Sequence, residues 1–164
     1  MKIVVFSDAH GDKEAIERII EWNKDADYYI SLGDSALNHN FLLDLDIIAI
    51  KGNYPRDPGF VYERRFDIAG KCLFLTHGHK YKVNKGIDKL YYKALEEECD
   101  IMLYGHTHVP KSQMVGKVLF INPGAISKPR NGLPPTYVII EIIDGIIDYE
   151  FREVETNKKT NVRY

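Results

Sequence analysis

Five short apolar runs in this chain each break off into a glycine, an acid or a histidine. "KIVVFS" (2–7) leads into Asp8 and His10, "DYYISL" (27–32) into Gly33-Asp34, and "DIIAIK" (46–51) into Gly52-Asn53. "CLFLT" leads into His77 and His79, and "DIMLYG" into His106 and His108. Continuous β-branched runs of this length suit strands buried on both faces, as in a parallel sheet. Open α/β sheets gather their ligand sites beyond the carboxyl ends of their strands. The pattern therefore predicts one sheet edge on which five polar clusters converge.

The segments between these runs fill in the layers. "GDKEAIERIIEW" offers Asp12 as an N-cap and sets Ile16, Ile19 and Ile20 at helical spacing, which predicts a helix with one face on the sheet. "NFLLDL" reads as a short helical turn, "GNYPRDPG" as a loop, and "RFDIAGKCLFLTHG" as a hairpin turning at Ala69 and Gly70. "IDKLYYKALEEE" puts Ile87, Leu90, Tyr91, Ala94 and Leu95 on one helical stripe. After His108 the helical signal ends. "SQMVGKVLFIN", "TYVIIEII" and "IIDYEFREV" read as antiparallel strands, the last two turning at Asp144-Gly145. The expected architecture is α/β, a four-layer αββα sandwich of two mixed sheets flanked by helices. Residues 1–155 form the single domain, and 156–164 form a short solvated tail.

Composition agrees with that class and removes others. A chain of 164 residues fits one domain, and 45% apolar with 28% charged residues matches an ordinary globular protein. A formal charge of −2 argues against a large nucleic-acid partner, which calls for a clustered basic excess. The first apolar run is too short for a signal-peptide core or a membrane span. Cys72 and Cys99 form no Cys-x-x-Cys pair, so unpaired cysteines and a reduced, cytoplasmic setting are expected. The eleven tyrosines and the apolar last strand suit either a homo-oligomer interface or the core and its rim.

Taken singly, each polar cluster has an ordinary explanation. Asp8-x-His10 could cap a helix, and Gly33-Asp34 and Gly52-Asn53 are common turn dipeptides. Jointly they supply carboxylate, amide oxygen and imidazole donors, a mixture that suits Mn, Fe, Co, Ni or Zn better than thiolate-selected metals or calcium. Asp8, His10, Asp34, Asn53, His77, His106 and His108 are too many donors for one such ion. Two divalent ions about 3.5–4 Å apart would share a ligand and activate a water while clamping a phosphoryl group. They also carry more positive charge than Asp8 and Asp34 can neutralise, which favours an anionic substrate.

These residues, in this order and spacing, resemble the motif set of the calcineurin-like metallophosphoesterase superfamily. The short length and "INPGAISKPR" (121–130) are similar to its small YfcE-type phosphodiesterase branch. The resemblance implies the αββα sandwich and a binuclear metal centre, most often manganese. It implies that Asp8, His10, Asp34 and His108 hold one ion and that Asp34, Asn53, His77 and His106 hold the other, with Asp34 bridging. Asn53 would also contact phosphate, and hydrolysis of a small phosphate diester would proceed through a di-metal-bound hydroxide.

Many members follow the Gly-Asn pair with a histidine that assists the leaving group, whereas here Tyr54-Pro55 follows Gly52-Asn53. His79 is the candidate to fill that role, and an exposed imidazole without a role is the alternative. Lys128 and Arg130 could meet a substrate's second phosphate or ribose, or simply be solvated. A phosphomonoesterase or nucleotidase is the alternative activity. A protein-interaction scaffold of the same fold, as in a retromer subunit, is the alternative from another class.

Overall fold

The computed structural model describes residues 1–55 and 59–161. The middle of the expected "GNYPRDPG" loop and the last three tail residues lie outside them. The described residues form ten strands: β1 (Lys2–Phe6), β2 (Tyr28–Ser31), β3 (Ile47–Ala49), β4 (Glu63–Ile68), β5 (Lys71–Thr76), β6 (Ile101–Tyr104), β7 (Pro110–Val115), β8 (Val118–Pro123), β9 (Thr136–Ile143) and β10 (Ile146–Glu153). Three α-helices accompany them: α1 (Lys13–Trp22), α2 (His39–Asp44) and α3 (Asp88–Glu97). Two 3-10 turns, His79–Tyr81 and Val83–Lys85, follow β5.

The strands make two five-stranded sheets, ordered β10-β9-β1-β2-β3 and β4-β5-β6-β8-β7. Each has a parallel trio: β1-β2-β3 continues on its β1 side through antiparallel β9 and then β10, and β5-β6-β8 lies between antiparallel β4 and β7. Alternation along β1 explains why the sheets stack. Ile3 and Val5 enter the core between the sheets, with Leu75, Leu103 and Ile121 from the second sheet. Val4 and Phe6 point the other way, onto Ile16 and Ile19 of α1 and Leu42 of α2. Phe74, Met102 and Phe120 turn outward in the second sheet to meet Leu90 and Ala94 of α3. The result is the αββα sandwich expected from the sequence, with apolar side chains on both faces of each parallel trio.

Local signals are met at several points. The Asp12 side chain caps α1 by accepting from the Ala15 N–H at 3.0 Å. The β4–β5 hairpin turns at Ala69 and Gly70, both with positive φ. Other expectations change. Leu95, placed on the buried stripe of α3, is 52% exposed, because the sheet covers only the Leu90–Ala94 side. β8 is not purely antiparallel: it inserts between β6 and β7 and runs parallel to β6. The start of the tail is not free either, since the Thr160 N–H donates to Phe151 O at 2.9 Å and Lys159 bridges to Arg152.

The cysteines correct the sequence expectation. Cys72 in β5 and Cys99 after α3 are joined by a disulfide, with their Cα atoms 4.6 Å apart. They lie 27 residues apart in the chain, but β5 and β6 are adjacent and α3 returns the chain to the same sheet end. Among the described residues no helix is long and apolar enough to cross a membrane.

The inter-sheet core gives a direct stability test. Leu103→Ala removes a fully buried side chain and should cost about 2–5 kcal/mol. Leu95→Ala should stay within about 0.5 kcal/mol. Chemical denaturation of both variants checks the pair.

Candidate metal centre

The carboxyl ends of β1, β2, β3, β5 and β6 meet on one edge, and short backbone hydrogen bonds sew their loops together. The Asp8 N–H donates to Gly33 O at 3.2 Å, His10 N–H to Asp34 O at 3.0 Å, and Gly105 N–H to His77 O at 3.1 Å. Five of the candidate ligands, Asp8, His10, Asp34, His106 and His108, have φ between 45° and 69°. Such backbone is unfavourable for any side-chain-bearing residue, although Asp and His tolerate it better than most. Its concentration here means that the turns are shaped to aim these side chains inward.

Two glycines of the paired motifs are explained by close approach. A Cβ on Gly52 would lie 2.0 Å from Asp34 Oδ1, and one on Gly105 would lie 2.1 Å from Ser7 Oγ. The Gly-Asn and Gly-His pairs therefore let neighbouring strand ends touch, which is more than a turn requires.

Asp8 lies at the centre of the arrangement and is fully buried. Its Oδ2 accepts from Ser7 Oγ at 2.6 Å and from the His106 N–H at 3.1 Å. Its Oδ1 is buried and accepts no hydrogen bond. Around that oxygen stand three imidazole nitrogens: His108 Nε2 at 3.1 Å, and His10 Nε2 and His77 Nε2 at 3.8 Å each. His77 Nε2 is also 3.3 Å from Asp34 Oδ2 and 3.1 Å from Asn53 Oδ1. The remaining ring nitrogens of His77 and His108 face the carbonyls of Leu32 (2.7 Å) and Lys128 (2.9 Å), so each Nε2 is left for the site. This carbonyl-anchored arrangement is the one that orients metal-binding imidazoles.

Two groups emerge in which one donor atom per residue lies within 4.8 Å of the others: Asp8, His10 and His108, and Asp8, Asp34 and His77. An orphaned buried carboxylate oxygen ringed by imidazoles fits a divalent cation. Asp8 is common to both groups, whereas Asp34 belongs to one. Asn53 reaches the second group through His77. His106 stands farther out, its ring 5.1 Å from that of His77 and its Nε2 3.1 Å from the Asn84 amide.

The electrostatics follow from this packing. Burial works to raise both carboxylates, but hydrogen bonds and charge from the histidines win. Asp8 is held below its ordinary value by His108, His77 and Ser7. Asp34 falls to about 2, chiefly through His77 and the Tyr54 N–H. The His108 pKa is raised, first by the adjacent Asp8 carboxylate. His77 is raised as well, its burial outweighed by Asp34 and Asp8. Burial lowers His10 and His106. It also lowers His79, to about 4, with help from the charges of His77 and His106.

His79 opens the first 3-10 turn, its ring 5.5 Å from His77 and 6.1 Å from His106, and its Nδ1 is buried without a partner. It belongs to neither donor group. Three supporting residues escaped the sequence reading. Ser7 holds Asp8 Oδ2, and Asn84 meets His106 Nε2. Asn122, fully buried in β8, donates to Gly105 O at 2.8 Å and to Thr107 Oγ1 at 3.0 Å, which fixes the loop that carries His106 and His108. A lone amide closing the apolar run "VLFIN" was the available signal.

Comparison with known proteins assigns this arrangement to a family. Residues 1–145 match the calcineurin-like phosphoesterase superfamily domain. The phosphodiesterase YfcE of Escherichia coli K12 is 30% identical over 169 residues, an alignment covering 86% of this chain and 88% of that protein. A predicted phosphoesterase from Streptococcus pneumoniae TIGR4 superposes with a TM-score of 0.86 at 35% identity, covering 94% of this chain and 90% of that one. Vps29 of Entamoeba histolytica, solved with Zn2+, superposes at 0.79 with 20% identity, covering 98% and 96%, and shares the fold. The domain match covers most of the chain and the relatives align along nearly their full length, so this protein belongs to the calcineurin-like phosphoesterase superfamily and is a metallophosphoesterase.

Proposed function

We propose that the protein hydrolyses a small phosphate diester with two divalent transition-metal ions, manganese first among them. The observation that carries this reading is the buried, unpartnered Asp8 Oδ1 facing the Nε2 atoms of His10, His77 and His108. Asp8, His10, Asp34 and His108 would hold one ion, and Asp34, Asn53, His77 and His106 the other. Bound there, the ions would supply an activated water and a clamp on the phosphoryl oxygens.

The chain's own residues do the positioning. Leu32 O and Lys128 O fix the two imidazoles, the Tyr54 N–H holds Asp34 Oδ1 at 2.8 Å, and Ser7 holds Asp8 Oδ2. That leaves one oxygen of each carboxylate and the Asn53 amide oxygen for the ions. Asn53 also stands where it can meet phosphate. For His79, what supports a place near the leaving group is its distance from His77. With a pKa of about 4 it is neutral at pH 7, so its part would be a hydrogen bond to the departing oxygen, with proton donation by an imidazolium disfavoured.

A domain over residues 1–155 with a tail at 156–164 belongs to the same reading, as does a cytoplasmic setting. The disulfide removes the support that unpaired cysteines lent to the latter. For self-association, the support is the exposed pair Ile143 and Ile146 at the β9–β10 turn. The scaffold reading rests on the fold shared with Vps29, and metal content with turnover separates the two.

Manganese-loaded protein should hydrolyse bis(p-nitrophenyl) phosphate with kcat/KM at least about tenfold above p-nitrophenyl phosphate. The reverse order would make it a monoesterase, and no turnover with metal bound would favour the scaffold. Asp34→Asn should weaken both ions and lower kcat/KM by about a hundredfold or more while the fold persists. If metal analysis finds one ion retained, Asp8 is the bridge. In the metal-free protein, the raised His77 and His108 contribute stability below their ordinary value of 6.5, and that stability is lost as pH rises through the raised values. The depressed Asp34 contributes above 3.8, and its share is lost as pH falls toward about 2. Thermal denaturation of the metal-free protein should therefore peak between these limits. Calorimetry near pH 6.5 should show protons released on metal binding.

A further inference from the structure

A cleft of about 690 Å3 opens beside the metal centre, between the 3-10 turn Val83–Lys85 and the β7 strand. It is continuous with the centre through three wall residues. Asn84 contacts His106 Nε2 at 3.1 Å, Thr107 separates His106 from His108 in the chain, and the Arg130 N–H donates to His108 O at 3.3 Å. The volume falls within the roughly 300–1,000 Å3 of small-molecule sites.

The walls have a definite chemistry. Lys111 and Arg130 both line the cleft, and among the described residues neither is ion-paired. One acid, Asp88, shares the space, so the cleft keeps a positive excess. Gln113 and Asn131 add neutral amides, while Ile87 and Val109 offer apolar contact for methylene groups. Lys128, the other cation of that loop, does not line the cleft, and its carbonyl is engaged by His108. Two cations with no ion-pair partner among the described residues, beside the proposed phosphoryl-transfer centre, match an anion at the far end of a substrate.

We propose that this cleft receives the ester arm of the substrate, and that Lys111 and Arg130 select an arm ending in a second phosphate. The assignment rests on the phosphodiesterase reading for what lies at the metal end, and its test is built to fail separately. Calorimetry on the full manganese-loaded chain compares 3-hydroxypropyl phosphate with propane-1,3-diol bisphosphate. Kinetics then compare the p-nitrophenyl diesters carrying the same two arms.

The bisphosphate should bind about fivefold more tightly or better, and the phosphate-ended diester should show the lower KM. Lys111→Met should remove most of that preference, whereas Lys117→Met, on the β7–β8 turn outside the cleft, should keep it. Equal affinities for the two ligands overturn the proposal, as does a preference that survives both Lys111→Met and Arg130→Met. A binding preference lost in Lys111→Met, with neither diester hydrolysed, supports the cleft assignment and overturns the phosphodiesterase reading alone.

Discussion

A fully buried carboxylate with one unpaired oxygen is tenable only if positive charge completes it, and Asp8 is in that position. The loops of five strands are arranged around this oxygen. Ser7 and the His106 N–H take the other oxygen, carbonyls behind His77 and His108 turn their free nitrogens toward it, and the two glycines at Gly52 and Gly105 let the strand ends close on it. Desolvation alone would push the Asp8 proton on. The neighbouring imidazoles reverse that and keep the group an anion. The sandwich beneath supplies the rigidity: with apolar side chains on both faces of the parallel trios, the strand ends cannot drift apart without opening a core.

Much of this was legible beforehand because both signals are local. Continuous apolar runs marked the parallel strands, and the polar residues ending each run named the edge on which Asp8, Asp34 and the histidines meet. What stayed hidden was set by partners distant in sequence. The insertion of β8 between β6 and β7 depends on which free edge a strand finds, and periodicity does not encode that choice. Leu95 fits the helical stripe but lies beyond the width the sheet can cover. Cys72 and Cys99 looked unpaired because spacing along the chain says nothing about a crossover that brings its two ends together. Asn84 meets His106 and Asn122 meets Gly105 and Thr107 across loops, so nothing in the sequence marked Asn84, and only its place at the end of an apolar run marked Asn122.

The family assignment and the cleft act at different levels. The proposed metal centre would define the bond that breaks, and relatives with the same fold share the frame around it. The cleft is lined from the second 3-10 turn, the start of α3, the end of β6, the β6–β7 loop, β7 and the loop before β9, and none of the lining residues themselves belongs to the inter-sheet core. On these proposals, chemistry and selectivity would be housed on separable parts of one scaffold.

The left-handed backbone at Asp8, His10, Asp34, His106 and His108 places two independent filters on the same positions. One is ligand chemistry, and the other is tolerance of positive φ, which excludes β-branched residues and favours Asn, Asp, His and Gly. Divergence at these sites therefore has a preferred exit, toward asparagine or glycine, which keeps the turn and discards the donor. A descendant could shed its metals while leaving every strand end in place, and so inherit a finished surface for some other purpose.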